Sequence, residues 1–289
     1  MRAADVLSVT QPAVSKTLRE LEEIVGRPLL ERTSKGVLLT AAGRVLLRHA
    51  GESLRVLSEG LDQLAADPEG EGPALRIGAL PNVAATLLPT ALLHLAEHSP
   101  RARVTIRTGS NAQLIAGLRQ GVLDLVIGRL AEPSDMQGLS FEQLFNEPLL
   151  FVVRAGHPLA RLARIAASQL RPYRLVLPDS GTRVREAADR FFVSSGIGLP
   201  VRVIETIDIT FGRAYVQRSD AIWFVPRGAI ENDLREGRFM HLPIDTRITE
   251  GPVGLTRRAD SRPMDELDYL VDQVRHAARS NRSPKTGRP

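Results

Sequence analysis

Leu7-Ser8-Val9-Thr10-Gln11-Pro12-Ala13-Val14-Ser15-Lys16-Thr17-Leu18-Arg19-Glu20-Leu21-Glu22 reads as the turn and second helix of a helix-turn-helix, a unit that lays one helix in a DNA major groove. Thr10 suits an N-cap, where a hydroxyl accepts from a first-turn amide. Pro12 suits the first turn, where its missing N–H costs nothing. Val14, Leu18, Leu21 and Val25 fall three and four apart and share one helix face, and Gly26 ends the helix. Pro12, Ser15, Lys16 and Arg19 lie on the opposite side. An uncharged first turn (Thr10, Gln11, Pro12, Ala13, Ser15) followed by Lys16 and Arg19 fits base edges first and phosphates beyond.

Residues 29–40 alternate apolar and polar around Ser34-Lys35-Gly36, which predicts a two-stranded wing with a tight turn. Arg32 and Lys35 are its candidate phosphate contacts. Across residues 41–65, Leu46, Ala50, Leu54, Leu57, Leu61 and Leu64 follow a heptad-like seam. One helix cannot bury such a seam alone, so it predicts pairing with a second copy. Asp67-Pro68-Glu69-Gly70-Glu71-Gly72-Pro73 reads as a solvated hinge.

The run from Arg2 to Gly43 resembles the DNA-binding segment of LysR-type transcriptional regulators. The likeness is carried by Ala3-Ala4, Leu7, Val9 to Ser15, Leu18, Leu21-Glu22, Gly26, Pro28-Leu29, Glu31-Arg32 and Leu39 to Gly43. The resemblance implies an all-α winged helix-turn-helix head (1–40), a linker dimerisation helix (41–66), the hinge (67–73), and a two-subdomain α/β effector-binding domain of periplasmic-binding-protein type (74–274). Subdomain I is expected at about 74–155 and 255–274, and subdomain II at about 156–254. The family carries a further helix before the segment that begins here at Arg2, and it would cover Val6, Leu7, Val14 and Leu18. Each large side chain left uncovered would cost about 1.5–3 kcal/mol, so either Met1 is a misassigned start, which is the favoured expectation, or the DNA-binding domain is crippled.

From Ala74 the pattern alternates strands and helices, which is βαβ logic. Strands are predicted at 75–80, 103–109, 123–130 and 149–153, with helices near 82–97 and 111–120. The pattern then restarts with strand 173–179, helix 182–195, strand 201–207, helix 208–218 and strand 221–226. Strands near 239–244 and 252–257 are expected to return to the first half, before a last helix near 263–279.

Open α/β sheets bind ligands beyond the C-terminal ends of their strands, where helix N-termini favour carboxylates. That selects Pro81, Asn82 and Val83 after the first strand, Thr108 and Ser110 after the second, and Gly128 and Arg129 after the third. In the second half it selects Thr182, Arg183, Thr206 and Phe224. Asn82, Ser110, Thr182 and Thr206 suit helix N-caps equally well. Arg129 and Arg183 favour an organic acid, through a charge-assisted bond. The segment from Leu75 to Ala84 resembles a subgroup of the family whose members regulate protocatechuate catabolism or respond to sugars. The first implies a carboxymuconate-type effector and the second a sugar.

The chain has 289 residues, 43% of them hydrophobic, and no cysteine; its mean hydropathy is −0.08. That is ordinary for a globular chain with a real core, and it excludes disulfides and Cys-ligated metals. No apolar run is long enough to span a membrane and no signal peptide is evident, so a cytoplasmic protein is expected. The net charge of +5 matches Arg275, Arg279, Arg282, Lys285 and Arg288 in 275–289, a stretch without acids that reads as a basic disordered tail. Basicity therefore makes no case for DNA binding by itself.

No HExxH, Walker or GxGxxG pattern occurs and the histidines are scattered, which argues against an enzyme. No catalytic residue, metal or cofactor is expected. His94 and His98 lie four apart without a third ligand. The expected partners are an interrupted palindromic operator in double-stranded DNA, an organic-acid effector, one or three further copies of the chain, and RNA polymerase. A ligand-binding module without DNA binding and a transport-type solute-binding protein are the other classes considered.

Overall fold

The computed structural model describes residues 9–33, 36–65, 72–261 and 263–282. Contacts divide the chain into two compact units, residues 1–65 and 66–289.

In the first unit, helix α1 (Gln11–Val25) has Thr10 at its N-cap, Pro12 in its first turn, and Gly26 at φ 69° closing it. A left-handed φ of this kind is one that only glycine adopts freely. Thr10 occupies the cap position, but its hydroxyl accepts no bond there, so the capping expected of it is not made. Strands β1 (Leu30–Thr33) and β2 (Gly36–Leu39) pair antiparallel, Leu30 opposite Leu39. The head is thus winged by a true β ribbon and is not purely helical. Helix α2 spans Ala41–Ala65.

Four hydrogen bonds and one close approach fix the ribbon. Glu22 Oε1 accepts from the amides of Leu29 (2.7 Å) and Leu30 (3.1 Å). Those two bonds hold the Glu22 carboxyl below its ordinary value. Thr40 Oγ1 donates to the Pro28 carbonyl at 2.7 Å and accepts from the Gly43 amide at 3.0 Å. A Cβ on Gly43 would stand 2.1 Å from the Leu29 carbonyl oxygen, so only glycine lets α2 start this close to the wing.

The second unit holds two five-stranded sheets. The first is built from β3 (Ala74–Ala79), β4 (Arg103–Thr108), β5 (Leu125–Arg129), β6 (Leu139–Glu147) and β12 (Gly251–Arg258). Their order is β4-β3-β5-β12-β6, with β3, β4 and β5 parallel and β12 antiparallel to both its neighbours. The second sheet is built from β7 (Leu149–Arg154), β8 (Leu175–Leu177), β9 (Val203–Glu205), β10 (Ile222–Pro226) and β11 (Phe239–His241). Their order is β11-β7-β10-β8-β9, with β8, β9 and β10 parallel. The helices are α3 (Pro81–Thr86), α4 (Leu88–His98), α5 (Asn111–Arg119), α6 (Arg183–Ser194), α7 (Ile209–Gln217), α8 (Glu231–Arg235) and α9 (Asp265–Arg282).

Several expectations are corrected here. Strand 149–154 pairs with β10 and β11, and strand 239–241 pairs with β7, so both belong to the second sheet. The chain crosses between sheets at Pro148, not near 155, and returns just before Gly251, close to the expected 254. The helix expected over 82–97 is two helices, because Pro89 lacks the N–H that would carry one into the other. Residues 275–282 are not a disordered tail. They finish α9, with Ala278 buried and Arg275 donating to both Glu142 oxygens at 2.8 and 2.7 Å.

Cores sit on the faces of both sheets. One packs Leu75, Ile77, Leu125 and Ile127 against Leu88, Leu95, Leu270 and Val274 of α4 and α9. Another gathers Phe151, Phe191, Phe192 and Phe224. Burying one such side chain stabilises by about 1.5–3 kcal/mol.

Candidate functional site

On α1, Gln11, Pro12, Ala13, Lys16 and Arg19 are exposed, as is Thr10, while Ser15 is half-buried. Lys16 reaches Glu20 at 3.7 Å, a surface pair too weak to withhold it from a phosphate. Val14 and Leu18 are half-buried, whereas Leu21 and Val25 are exposed. The backbone of Arg32 runs in β1; Lys35 lies outside the described residues.

The second site is an open cleft in the second unit. The turns after β3 and β8, read from sequence as facing each other, both line it. So do Pro81, Asn82, Ser110, Arg129, Thr182, Arg183, Thr206 and Phe224. Three expected residues do not. Val83 is buried in the core of the first half. Thr108 is exposed at the end of β4. Gly128 lies beneath the cleft, where a Cβ would come within 2.6 Å of Asn111 Oδ1.

Two of the lining hydroxyls are spent on capping. Ser110 caps α5 in a capping box with Gln113, and Thr182 caps α6 by accepting from Arg185. Thr206 accepts from the Asp208 amide at 2.9 Å, and it is Asp208 that caps α7. Asn82 is no cap. It sits inside α3, 4% exposed, and its Nδ2 donates to both oxygens of Glu147 at 2.8 and 2.9 Å.

Glu147 is the residue that sequence reasoning missed. It ends β6, lines the cleft, and is 4% exposed. Arg129, 5% exposed, stands 3.9 Å from its carboxylate and donates through Nη2 to its backbone carbonyl at 3.1 Å. Burial pushes the Glu147 carboxyl up, against the pull of Arg129, Asn82 and the Gly228 amide. Burial likewise pushes the Arg129 guanidinium down, against the pull of Glu147.

Arg129 Nε is buried without a hydrogen-bond partner, as is Asn111 Oδ1. The Asn111 amide cannot turn over freely, because its Nδ2 donates to the Arg129 carbonyl at 2.9 Å. Arg183 bonds Glu132 and also Glu186, the latter at 2.8 Å. Both cleft cations therefore already hold counter-charges. The remaining wall is apolar, formed by Leu80, Pro178, Ile207, Ile209, Trp223 and Val225. Among the described residues no cluster of His, Asp and Glu has the makings of a metal site, and no helix is long and apolar enough to cross a membrane. His98 stacks on Tyr269 with ring centroids 3.9 Å apart.

Two family descriptions match the chain: a bacterial regulatory helix-turn-helix protein of the lysR family over residues 1–44, and a LysR substrate-binding domain over residues 68–279. The chain is 42% identical over 279 residues to the HTH-type transcriptional regulator PcaQ of Agrobacterium fabrum (strain C58 / ATCC 33970), covering 96% of this chain and 89% of that one. It is 33% identical over 274 residues to the HTH-type transcriptional regulator YdcI of Escherichia coli (strain K12), covering 95% and 89%. In fold it is similar to the crystal structure of ArgP from Mycobacterium tuberculosis, with a TM-score of 0.63 at 19% identity, covering 96% of this chain and 90% of that one.

Proposed function

We propose, from the premise that this chain belongs to the LysR family of DNA-binding transcriptional regulators, that its cleft takes a small organic acid whose binding governs how the protein engages its operator. The family's members are regulators and not enzymes, and so is this chain. The acid itself is our reading, of the carboxymuconate type that the resemblance of Leu75–Ala84 implies.

One observation carries it. Arg129 is buried at the lining of a cleft whose wall is largely apolar, with an Nε–H that bonds nothing in the protein. An unpaired buried donor costs about 1–3 kcal/mol. A carboxylate accepting from it would recover that cost, while Trp223, Ile209 and Pro178 flank an unsaturated carbon chain.

The α1 surface reads base edges with Gln11, Pro12, Ala13 and Ser15, while Lys16, Arg19, Arg32 and Lys35 hold phosphates. Pairing along α2 sets two heads on the half-sites of an interrupted palindrome, in a dimer or a tetramer. Effector binding shifts the two halves of the second unit, and segment 67–73 passes that shift to the heads. The shift requires an effector that binds one state better than the other. The work is done in the cytoplasm, on promoters served by RNA polymerase.

Trp223 is the only tryptophan in the sequence and it lines the cleft, so the protein carries its own probe. Titration with 3-carboxy-cis,cis-muconate should change Trp223 emission saturably and alter the footprint on DNA upstream of the gene. Saturable binding of a sugar, with no response to any acid, would overturn the reading.

A further inference from the structure

Glu147 poses a problem that the acid reading must solve. It is a carboxylate at the floor of a cleft meant for a carboxylate. Two carboxylates in one site do not both stay ionised. Its Oε1 and Oε2 are committed to Asn82, and its single buried cation, Arg129, is the group an incoming acid would use. The cleft's other cation, Arg183, is neutralised by Glu132 and Glu186. The cleft therefore has no spare positive charge for an anion.

We infer that Glu147 is the residue that sets effector specificity, by taking a proton from solvent as the anionic effector binds, so that the site accepts a carboxylate only together with one proton. The inference rests on the organic-acid reading above. In the free protein Glu147 is a carboxylate paired with Arg129. In the complex the effector's carboxylate accepts from Arg129 Nε, and Glu147 is a neutral acid whose O–H donates to the effector. The change is one ligand anion and one proton bound, so the charge of the floor is unaltered. A neutral polyol brings no charge and takes up no proton, so the pair separates acids from sugars.

The groups facing Glu147 fit this role. Arg129 on β5 is its charged neighbour; α3 contributes the neutral donor Asn82, and the turn Arg227–Ile230 contributes the Gly228 amide. Arg183 on α6 acts on Arg129 through space, with Glu132 and Glu186 held against it. The site is also tightly cut. A Cβ on Gly228 would lie 3.1 Å from Glu147 Oε1, and one on Gly251 would lie 2.4 Å from Arg129 Nη1. Glycines at both places let the pair sit where the chain crosses between the sheets.

The test is calorimetric titration of the full chain with benzoate, cis,cis-muconate and 3-carboxy-cis,cis-muconate, at several pH values and in buffers of unlike ionisation enthalpy. The expected result is about one proton taken up per acid bound, with affinity rising roughly tenfold per unit fall in pH while free Glu147 stays ionised. Glu147→Gln should abolish that slope. Should this variant fail to fold, infrared difference spectra of wild-type protein with carboxyl-13C-labelled acid decide the matter. A protonated protein carboxyl must appear on binding, resolved from the ligand's own band. An acid that binds with no proton uptake, or a slope that persists in Glu147→Gln, overturns the inference and leaves the acid reading standing. Failure of every acid to bind overturns both.

Discussion

Arg129 and Glu147 differ sharply in what the sequence discloses about them. Arg129 is legible because it closes a predicted strand, and strand ends line ligand crevices in sheets of this kind. Glu147 is hidden because the strand that carries it is hidden. Replacing Arg129 with Met leaves a buried carboxylate alone, so it should cost about 3–5 kcal/mol in stability and abolish acid binding; denaturant unfolding and titration of Trp223 emission check the two effects. Glu22 gives a second residue-scale prediction, with a defined sign. Its carboxyl is held below 4.5 by the Leu29 and Leu30 amides. The contribution of those bonds is therefore full above pH 4.5 and is lost as pH falls through the lowered folded value. Amide protection factors at Leu29 and Leu30, taken against the intrinsic rate at each pH, should fall over that range in wild type and be low at all pH values in Glu22→Ala.

Among the elements, β6 shows why a strand escapes notice. Its apolar residues Leu139 and Phe141 are two apart, but the next pair is Leu144-Phe145, so the period of two breaks. The break is a bulge: the register with β12 shifts between Val253 and Gly254, and a Cβ on Gly254 would fall 2.0 Å from the Glu142 carbonyl oxygen. A bulge re-aims every later side chain, which is how Glu147 comes to point into the cleft. Helices with clear caps and stripes, such as α1, α5 and α6, were legible to within a residue or two at their ends. The end of α9 reads two ways, as a helix to about 279 and as a tail from 275, since a basic composition looks the same in a solvated tail and in a helix whose Arg275 is claimed by Glu142, far off in sequence. Deleting residues 275–282 should lower the melting temperature measurably, by uncovering the core that Ala278 closes. Gly43→Ala, which places a carbon against the Leu29 carbonyl, should cost about 1–3 kcal/mol in the unfolding of the head.

At the scale of the whole molecule, a DNA-reading head and a cleft-bearing α/β unit were legible because each rests on long periodic patterns. The assignment of strands to sheets was not, because β7 and β11 carry nothing local that chooses between two sheets. That choice is made by distant partners, Trp223 opposite Val152 and Met240 opposite Val153. The seam on α2 makes its own prediction. Leu57 is 60% exposed in the single chain, so Leu57→Lys should shift the protein toward monomer in sedimentation and weaken operator binding while leaving acid binding intact. The central claim, that this chain reads a specific DNA sequence, is tested most directly by fluorescence anisotropy on DNA from upstream of its own gene, with scrambled DNA as competitor at physiological salt. A preference of roughly a thousandfold or more is the predicted result; equal affinity for the two DNAs would contradict it.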